Sequence, residues 1–332
     1  MRFTTTIAAA MVMAASQAKI TIDPATRTFR DDQNRHVIMH GQNVVVKLPN
    51  YLPTTESFDW QTSISDEDLQ LLQDWGTNII RLGVMWESVE TAPGVYDYDY
   101  LNSVDELINR FGAYGMNVIV DNHQDLFSRS LCGEGVPHFY TPEDLDRRCP
   151  NTILGFAFKM AGECKPFKYY DVPMGEDGLP VPEECTKRNF EDMYTMPEVA
   201  SAFAALYDNK DGLLDKMMDF WSVVAEKYAS NEHVMGYDIF NEPWPANLYR
   251  EPSLFFKPGK FDHEKLFPLT VRAHETVRAK DDEKIIFVEP AQFPDTLPFL
   301  GGRIEHIGFK STPGGEDYLN RQSLNDHSYC CQ

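Results

Sequence analysis

Residues 236–245, GYDIFNEPWP, place an amide and an acid directly after a run of apolar, strand-like residues. A carboxylate is rarely buried without a partner, so Asn241 and Glu242 predict either a solvated turn or a chemical site. Cleavage of a glycosidic bond would use such a pair, because a carboxylic acid must protonate the leaving oxygen and an amide can hold a sugar hydroxyl. Trp244, like Trp86 earlier in the chain, could stack on a sugar or simply pack in the core.

Polar residues also follow two earlier strand-like segments. Strand alternation in VIVDNHQD, residues 118–125, places Asp121, His123 and Asp125 on one face, and IIRLGVMWE contributes Arg81. The three groups on the first segment could bind a metal, line a sugar pocket or form a buried polar network, and we favour the network. Arg81, His123 and Glu242 should therefore share one face of consecutive strands, where Arg81 could hold down the pKa of a partner carboxylate.

The elements that must position these residues alternate along the chain. Strands are predicted at 36–45, 77–86, 116–125, 233–243 and 284–290, with a sixth near HIGF or SLNDHSYC; helices are predicted at 65–76, 100–115, 213–229 and 261–281, the last disturbed by Pro268. This order implies a parallel sheet. Polar groups recur at the C-terminal strand ends and no Gly-rich phosphate loop follows a strand, which favours a (β/α)8 TIM-type barrel over a doubly wound sheet.

A long insert follows the third strand, from about Leu126 to Leu213, and contains Cys132, Cys149, Cys164 and Cys185. None of these lies two to four residues from another, as zinc ligands usually do, so disulfides are the favoured interpretation, with unspecified connectivity. The position of the insert predicts a lid over the catalytic rim.

Composition limits the partners and the compartment. The 332 residues include 51 acids and 30 bases, for a formal charge of −21, which argues against nucleic acid as a partner. Residues 1–18 combine Arg2, an apolar run and small residues before Lys19, which predicts a signal peptide rather than a mitochondrial presequence. The mature chain, 19–332, should be one secreted or lumenal domain, suited to an acidic, lysosome-like compartment and without stable membrane insertion.

The motif blocks resemble glycoside hydrolase family 5 and, within it, the endoglycoceramidase branch. The blocks are HGQNVVVKLPNYLP (40–53), DNHQDLFSR (121–129), CGEGVPHFY (132–140), YDIFNEPW (237–244), IFVEP (286–290) and HSY (327–329). They occur in family order over nearly all of the mature chain. The resemblance implies a retaining glycosidase that hydrolyses the β-linkage between an oligosaccharide, or glucose, and ceramide, with no metal or organic cofactor.

The resemblance also implies residue roles. Glu242 matches the acid/base, and Asn241 matches the neighbour that contacts the 2-hydroxyl of the reacting sugar. The remaining substrate-binding positions implied are Arg81 on strand two, His123 on strand three, Asp125 and Lys47 at sugar contacts, and His327 and Tyr329 in the His-x-Tyr pair after strand six. The implied partner is a glycolipid or oligosaccharide, with transient contact to a membrane surface.

The chain departs from the family at its end. The family nucleophile is a glutamate on strand seven, whereas this sequence stops at Gln332 just after the strand-six motif. We therefore expect a barrel truncated after strand six, with the nucleophile absent, and we do not assign that role to the strand-five residue Glu289. Two alternatives follow: a glycolipid- or glycan-binding protein that lacks a nucleophile, or an endoglucanase-type enzyme of the same family.

Overall fold

The structure is a computed structural model that describes residues 19–257, 259–291 and 308–327. The predicted signal peptide, residues 1–18, and the predicted sugar contact Tyr329 lie outside the described residues. The strands are β1 (Thr21–Asp23), β2 (Thr28–Arg30), β3 (His36–Val37), β4 (Gly41–Val44), β5 (Ile79–Gly83), β6 (Glu90–Ala92), β7 (Val95–Tyr96), β8 (Asn117–Asp121), β9 (Val234–Asp238), β10 (Ile285–Val288) and β11 (Gln322–Leu324).

Six of these strands form one parallel sheet in the order β4–β5–β8–β9–β10–β11. Each new strand in the chain adds beside the previous one, which is the progression of a (β/α)8-type barrel and confirms the predicted fold class. The sequence offered two segments for the sixth strand, HIGF and SLNDHSYC. The strand β11 lies at the start of the second segment. Within the described residues, β4 and β11 are the two edges of this sheet.

Helices connect the strands: α1 (Asp66–Asp74), α2 (Trp86–Val89), α3 (Tyr98–Ala113), α4 (Ile153–Ala161), α5 (Pro182–Cys185), α6 (Phe190–Tyr194), α7 (Pro197–Tyr207), α8 (Leu213–Tyr228), α9 (Ser253–Phe256) and α10 (Phe267–Arg278). The start of α1 is fixed by a capping box, in which the Ser65 hydroxyl and the Asp68 carboxylate satisfy each other's backbone amides. Pro268 lies in the first turn of α10, after a π-helical turn at Asp262–Leu266, so the predicted disturbance is confirmed.

Alternation along the strands separates two layers. In β5, Ile80 and Leu82 point outward into the main core that the helices cover, whereas Ile79 packs on the inner side of the sheet. Because side chains alternate along a strand, Arg81 also points inward, where it contacts the last residue of β8, Asp121. Strand alternation therefore places Arg81 and Asp121 on the inner face of the sheet.

The predicted first strand, 36–45, is wrong as a single element. His36–Val37 completes a three-stranded antiparallel sheet with β1 and β2, and only Gly41–Val44 joins the barrel sheet. Ile38 between them is 82% exposed, so the apolar run does not mark one continuous buried strand. Gly41 allows β4 to approach β5 closely, because a Cβ there would lie 2.0 Å from the carbonyl oxygen of Ile79.

Strands three and four of the parallel sheet end earlier than predicted. After β8 the amide of His123 donates to the carbonyl of Asp121 at 2.9 Å, which turns the chain out of the ladder. After β9, strand alternation over the predicted strand 233–243 would place Phe240 on the same face as Asp238. Phe240 instead packs on Phe203 on the helical side, with ring centroids 6.0 Å apart. The residues with candidate chemistry therefore lie on turns at the rim.

The insert between β8 and α8 contains α4 to α7 and two disulfides. Cys132 pairs with Cys185 and Cys149 pairs with Cys164, which confirms the predicted use of the four cysteines and supplies the connectivity that spacing could not. The first bridge ties the beginning of the insert to a point 53 residues later. Both bridges therefore link parts of the insert to each other.

Candidate active site

Arg81 lies at the centre of the rim. Its guanidinium pairs with three carboxylates from neighbouring strands: Asp121 at 2.9 Å, Asp238 at 2.8 Å and Glu289 at 2.8 Å. All three carboxylate side chains are fully buried, so their charges depend on this partner. Burial alone would lower the pKa of Arg81, but the three carboxylates outweigh it and hold the pKa above its usual value.

His123 extends this network toward the insert. Its Nδ1 lies 2.8 Å from Asp121 Oδ2, and its Nε2 lies 3.3 Å from Asp125 Oδ2. Burial alone would lower the pKa of His123, but the two aspartates more than compensate and raise it to about 9. The imidazole is therefore a cation at neutral pH and links the buried Arg81 network to a second cluster.

The second cluster joins the loop after β4 to the insert. The Lys47 ammonium contacts Asp125 and lies 3.7 Å from Glu134 Oε1, while the Tyr194 hydroxyl donates to the other oxygen of Asp125. Burial would raise the pKa of Asp125, but His123 and Lys47 hold it below its usual value. Burial and the neighbouring Asp125 raise the pKa of Glu134 well above its usual value.

His123, Asp125 and Glu134 also present ligand atoms within 4.8 Å of one another, a spacing that could hold a metal ion. The Lys47 ammonium already contacts one of these carboxylates and lies near the other, so positive charge is supplied at the same place by the protein. This arrangement favours the polar network over a metal site. Independence from metals remains a prediction.

Both the oxygen and the nitrogen of the Asn241 side-chain amide have hydrogen-bond partners. Its Oδ1 accepts a hydrogen bond from Arg81 at 2.9 Å, and its Nδ2 donates to the carbonyl of Gln124 at 3.0 Å. Gln124 returns the contact, since its Nε2 donates to the backbone carbonyl of Asn241 at 2.7 Å. An amide nitrogen has two hydrogens, and this contact uses one of them.

Glu242 sits on a turn in the left-handed region, with φ of 40°. Its backbone amide donates to Glu289 Oε2 at 2.8 Å, and its Oε1 lies 2.8 Å from Nδ1 of His327. A non-glycine residue adopts this conformation at a cost of about 1–3 kcal/mol and is retained only where its surroundings enforce it. Its side chain is 20% exposed, which makes Glu242 the carboxylate of the site most open to solvent.

His327 connects the acid of the turn to the buried network. Its second nitrogen, Nε2, lies 3.2 Å from Glu289 Oε1. Burial would lower the pKa of His327, but Glu242 and Glu289 outweigh it and raise the pKa to about 10. Burial and the nearby Asp238 raise the pKa of Glu289 to about 8. The two oxygens of Glu289 accept hydrogen bonds from Arg81 and from the Glu242 amide.

The two tryptophans left open by the sequence have different surroundings. Trp86 is fully buried, and its indole N–H donates to Glu90 at 2.7 Å, so it belongs to the core. Trp244 stacks on Tyr194 with ring centroids 5.5 Å apart, and Tyr194 in turn contacts Asp125. Trp244 therefore borders the candidate site.

The structure brings together seven of the eight predicted site residues: Glu242, Asn241, Arg81, His123, Asp125, Lys47 and His327. Sequence analysis did not find Gln124, Tyr194 or Asn325, the last of which donates to Asp238 Oδ2 at 2.7 Å. Gln124 and Asn325 follow the ends of strands, and this position in the sequence is a weak indication of a site residue. Tyr194 lies 69 residues from its partner Asp125, and no local pattern identifies it.

The chain matches a known family over most of its described length. The family model for cellulase (glycosyl hydrolase family 5) matches residues 37–152 and 189–327. The unmatched stretch between these two blocks, 153–188, contains α4 and α5 and lies within the insert. The two matched blocks contain every predicted site residue that the structure describes.

Named relatives cover the chain almost completely. It is 34% identical over 310 residues to an endoglycoceramidase from Cyanea nozakii, covering 93% of this chain and 57% of that protein. It is 32% identical over 321 residues to an endoglycoceramidase from Hydra vulgaris, covering 97% of this chain and 57% of that protein. Endo-glycoceramidase II from Rhodococcus sp. is similar in structure, with a TM-score of 0.60, 25% identity and coverage of 91% and 58%. The chain thus spans slightly more than half the length of these relatives.

The network at Arg81 predicts a large stability effect. Arg81→Met should lower the free energy of unfolding by about 3–5 kcal/mol at pH 7, because the buried carboxylates of Asp121 and Asp238 lose the cation that pairs with them. Urea denaturation measures this loss. Arg110→Met is the matched control: its pair with Asp66 is 28% and 75% exposed, so about 1 kcal/mol or less should be lost. Equal losses in the two variants would contradict the network's role.

The position of His123 predicts a pH dependence. Its pKa is raised to about 9 in the folded state, so its protonated form stabilises the fold. That contribution should be complete below about pH 6.5, the ordinary histidine pKa, and should be lost as the pH rises through about 9. In His123→Gln, the free energy of unfolding should therefore decrease less between about pH 6.5 and pH 9 than it does in the parent protein. Nitrogen NMR of the imidazole provides a direct check, and a His123 resonance that titrates near pH 6.5 would refute the expectation.

Proposed function

The chain belongs to glycosyl hydrolase family 5, and on this basis we propose that it acts as a retaining β-glycosidase on glycosphingolipids. The cleaved bond is the linkage between the oligosaccharide, or glucose, and ceramide. The observation that carries this proposal is the placement of Glu242, a partly exposed carboxylate beside Asn241 and held by His327. The relatives that are named endoglycoceramidases support the choice of substrate class.

In this mechanism Glu242 gives a proton to the leaving oxygen and later takes one from the attacking water. His327 fixes the orientation of the Glu242 carboxylate. The remaining N–H of Asn241 binds the 2-hydroxyl of the reacting sugar. Lys47 and Asp125 contact sugar hydroxyls farther along the rim, and His123 holds Asp125 in place.

Retention requires a second carboxylate as nucleophile, which lies about 5–5.5 Å from the acid/base carboxyl group. Glu289 is near Glu242 but is unsuited to this role. Its side chain is fully buried, both of its oxygens accept hydrogen bonds from Arg81 and the Glu242 amide, and its raised pKa disfavours the ionised form. The six described strands of the barrel sheet do not supply a strand-seven glutamate. We therefore assign the nucleophile to none of the described residues.

A second candidate function uses the same polar rim for binding alone. A protein that keeps Asn241, Lys47 and Asp125 but has no nucleophile would bind the glycan of a glycolipid without cleaving it. The two candidates differ in one measurement, since both bind lactosylceramide but only the enzyme releases lactose from it. Tight binding with no release would favour the binding protein.

Two disulfides support export of the protein, because such bonds persist in oxidising compartments. We propose a secreted or lumenal location, as the signal-like residues 1–18 suggest. None of the described helices has the length and apolar character needed to span a bilayer. We propose that the protein contacts a membrane through an exposed apolar surface.

The helix α4 offers such a surface. Ile153, Phe156 and Met160 occupy one face at helical spacing and are 89%, 65% and 73% exposed. The opposite side is anchored, since Phe158 packs on Tyr249 with ring centroids 5.7 Å apart and the Thr152 hydroxyl donates to the Tyr249 carbonyl at 2.7 Å. Tyr249 follows Glu242 by seven residues, so α4 lies beside the segment that carries the acid.

The charge around α4 indicates which kind of surface the helix contacts. Residues 147–170 contain five basic residues and one acidic residue, a net charge of +4, within a chain of net charge −21. Lys159 lies on α4 itself, and the other four basic residues lie in the segments on either side of it. An exposed apolar helix face with basic residues around it is typical of binding to an anionic lipid surface. We propose that α4 rests on the membrane that holds the ceramide, so that the headgroup reaches the rim.

Replacement of Glu242 tests the catalytic assignment. In the full-length protein, Glu242→Gln should lower turnover of lactosylceramide by about a hundredfold or more, the scale expected for loss of a general acid. The loss should be much smaller for a nitrophenyl lactoside, because a nitrophenolate leaves with little protonation. Glu283→Gln, at an exposed surface pair with Lys19, serves as the control and should leave both rates unchanged. Equal losses for the two substrates would contradict the acid role.

Replacement on α4 tests the membrane surface. The double variant Phe156→Ser and Met160→Ser should partition about tenfold or more weakly to vesicles of phosphatidylcholine with phosphatidylserine, because two exposed apolar side chains are lost. Vesicle co-sedimentation measures this change. Leu71→Ser, on the exposed face of α1, provides a control that should bind as the parent does. Failure of the parent to bind, or unchanged binding by the double variant, would eliminate α4 as the lipid contact.

A further inference from the structure

Two large aromatic side chains project from the loop after β4. Phe58 is 75% exposed and Trp60 is 77% exposed. Full burial of a Phe side chain contributes about 1.5–3 kcal/mol, so these rings leave apolar surface unused in the fold. A single exposed apolar residue is ordinary, but a pair on one short turn indicates a contact surface for a partner. Residues 56–62, which carry both rings, are called the aromatic turn below.

The aromatic turn lies at the same end of the barrel sheet as the candidate acid. Strand β4 ends at Val44 and α1 begins at Asp66, so the loop between them leaves the carboxyl end of the strand. The same loop contains Lys47, which contacts Asp125 at the rim. The carboxyl ends of parallel strands share one edge, and the segment after β9 that anchors α4 also lies at this edge. The turn and the exposed face of α4 therefore lie at one end of the sheet.

Hydrogen bonds at the base of the turn fix its conformation before any partner binds. The amide of Thr54 donates to the carbonyl of Thr62 at 2.8 Å, and the amide of Ile64 donates to the carbonyl of Thr54 at 2.9 Å. Ile64 is buried in the main core, so it joins this base to the rest of the fold. The two rings are therefore presented on an ordered loop, and little conformational entropy remains to be lost on binding.

Asp59, which lies between the two aromatic residues, provides hydrogen-bond partners for the tip. Its Oδ1 accepts hydrogen bonds from the amides of Gln61 and Thr62 at 3.0 and 2.8 Å, and from the Thr62 hydroxyl at 2.9 Å. Its own amide donates to the Ser63 hydroxyl at 2.8 Å, and its carbonyl accepts from the Ser63 amide at 3.0 Å. Because lipid offers no partners to backbone groups, a tip whose amides are already bonded can enter a lipid interface at lower cost.

The charge of this loop differs from the charge around α4. Residues 45–65 contain one basic residue, Lys47, and two acidic residues, Glu56 and Asp59, for a net charge of −1. Anionic lipid would attract the segment 147–170 but not this loop. The aromatic turn would contact lipid through its rings alone, and Trp suits a membrane interface because its ring is apolar and its N–H is polar.

We propose that the aromatic turn inserts Phe58 and Trp60 into the interfacial layer of the membrane that holds the substrate. A bilayer is favoured over a compact ligand because it is broad enough to cover both the turn and the exposed face of α4, which belong to separate loops at one end of the sheet. The inference rests on the proposed function for the claim that the substrate is a membrane lipid. It adds a second contact that, unlike α4, does not depend on lipid charge.

Vesicles without glycolipid test this contact in the full-length protein. The double variant Phe58→Ser and Trp60→Ser should partition about tenfold or more weakly than the parent, because two inserted aromatic rings are lost. The loss should be the same for vesicles of phosphatidylcholine alone and for vesicles that also contain phosphatidylserine. Trp75→Ser is the matched control, since Trp75 is 66% exposed but follows α1 at the opposite end of the sheet. This control should bind as the parent does.

Tryptophan fluorescence gives a second readout in variants that keep an aromatic ring at the position. Brominated phosphatidylcholine should quench part of the emission of the parent when the protein binds. Trp60→Phe should bind nearly as tightly as the parent and should lose that quenching, whereas Trp75→Phe should keep it.

Three results overturn the membrane contact: no binding of the parent to phosphatidylcholine, equal weakening by Trp75→Ser, or quenching that persists in Trp60→Phe. A loss confined to vesicles with phosphatidylserine also overturns it, because the contact would then depend on lipid charge. If vesicle binding is unchanged but the double variant loses self-association or affinity for lactose, the turn belongs to a contact with a second copy or with a glycan. The vesicles contain no glycolipid, so failure to release lactose from lactosylceramide would remove the proposed function without deciding the contact.

Discussion

The Arg81 guanidinium is the interaction on which the rest of the site depends. It comes from the middle of β5 and meets carboxylates at the ends of β8, β9 and β10, so a single cation joins four strands. Desolvation of these charges is unfavourable, and a well-packed apolar cluster would stabilise the sheet at least as well. The network instead specifies position, because each carboxylate has a second partner that it holds: His123 for Asp121, Asn325 for Asp238 and the Glu242 amide for Glu289.

The turn at Glu242 shows how the Arg81 network positions the candidate acid. Its left-handed backbone is unfavourable by itself, but Arg81 fixes Asn241 on one side and Glu289 fixes the Glu242 amide. The conformation therefore persists and directs the Glu242 carboxylate outward, whereas the acids that hold it stay buried. A residue at a strand end with ordinary backbone geometry would continue the ladder and direct its side chain into the packed interior. The buried Arg81 network stabilises this unfavourable turn, and the turn directs the Glu242 carboxylate toward the open side of the rim.

The sequence predicts this centre well where alternation and strand order apply. Arg81 and Asp121 lie on the inner face as a period of two requires. His123 also reaches Asp121, but by a turn directly after β8 and not by strand alternation, and the same assumption misplaces Phe240. Tyr194 and the disulfide pairs could not be derived, because the insert folds through contacts between residues that are distant in sequence. Local patterns determine strands and helices, whereas rim loops depend on tertiary contacts.

The division between sheet and insert also separates two tasks. The sheet supplies Arg81, Asn241 and Glu242, the parts that any glycosidic cleavage at this rim requires. The insert supplies Tyr194, which reaches Asp125, and the exposed face of α4. Part of it, residues 153–188, lies outside the family match, and that part contains α4. The described partners of Arg81 all lie outside 153–188, so substitutions in that stretch leave the ion pairs of the network in place. The residues that hold the candidate acid and the residues that form the exposed face of α4 are thus separate along the chain.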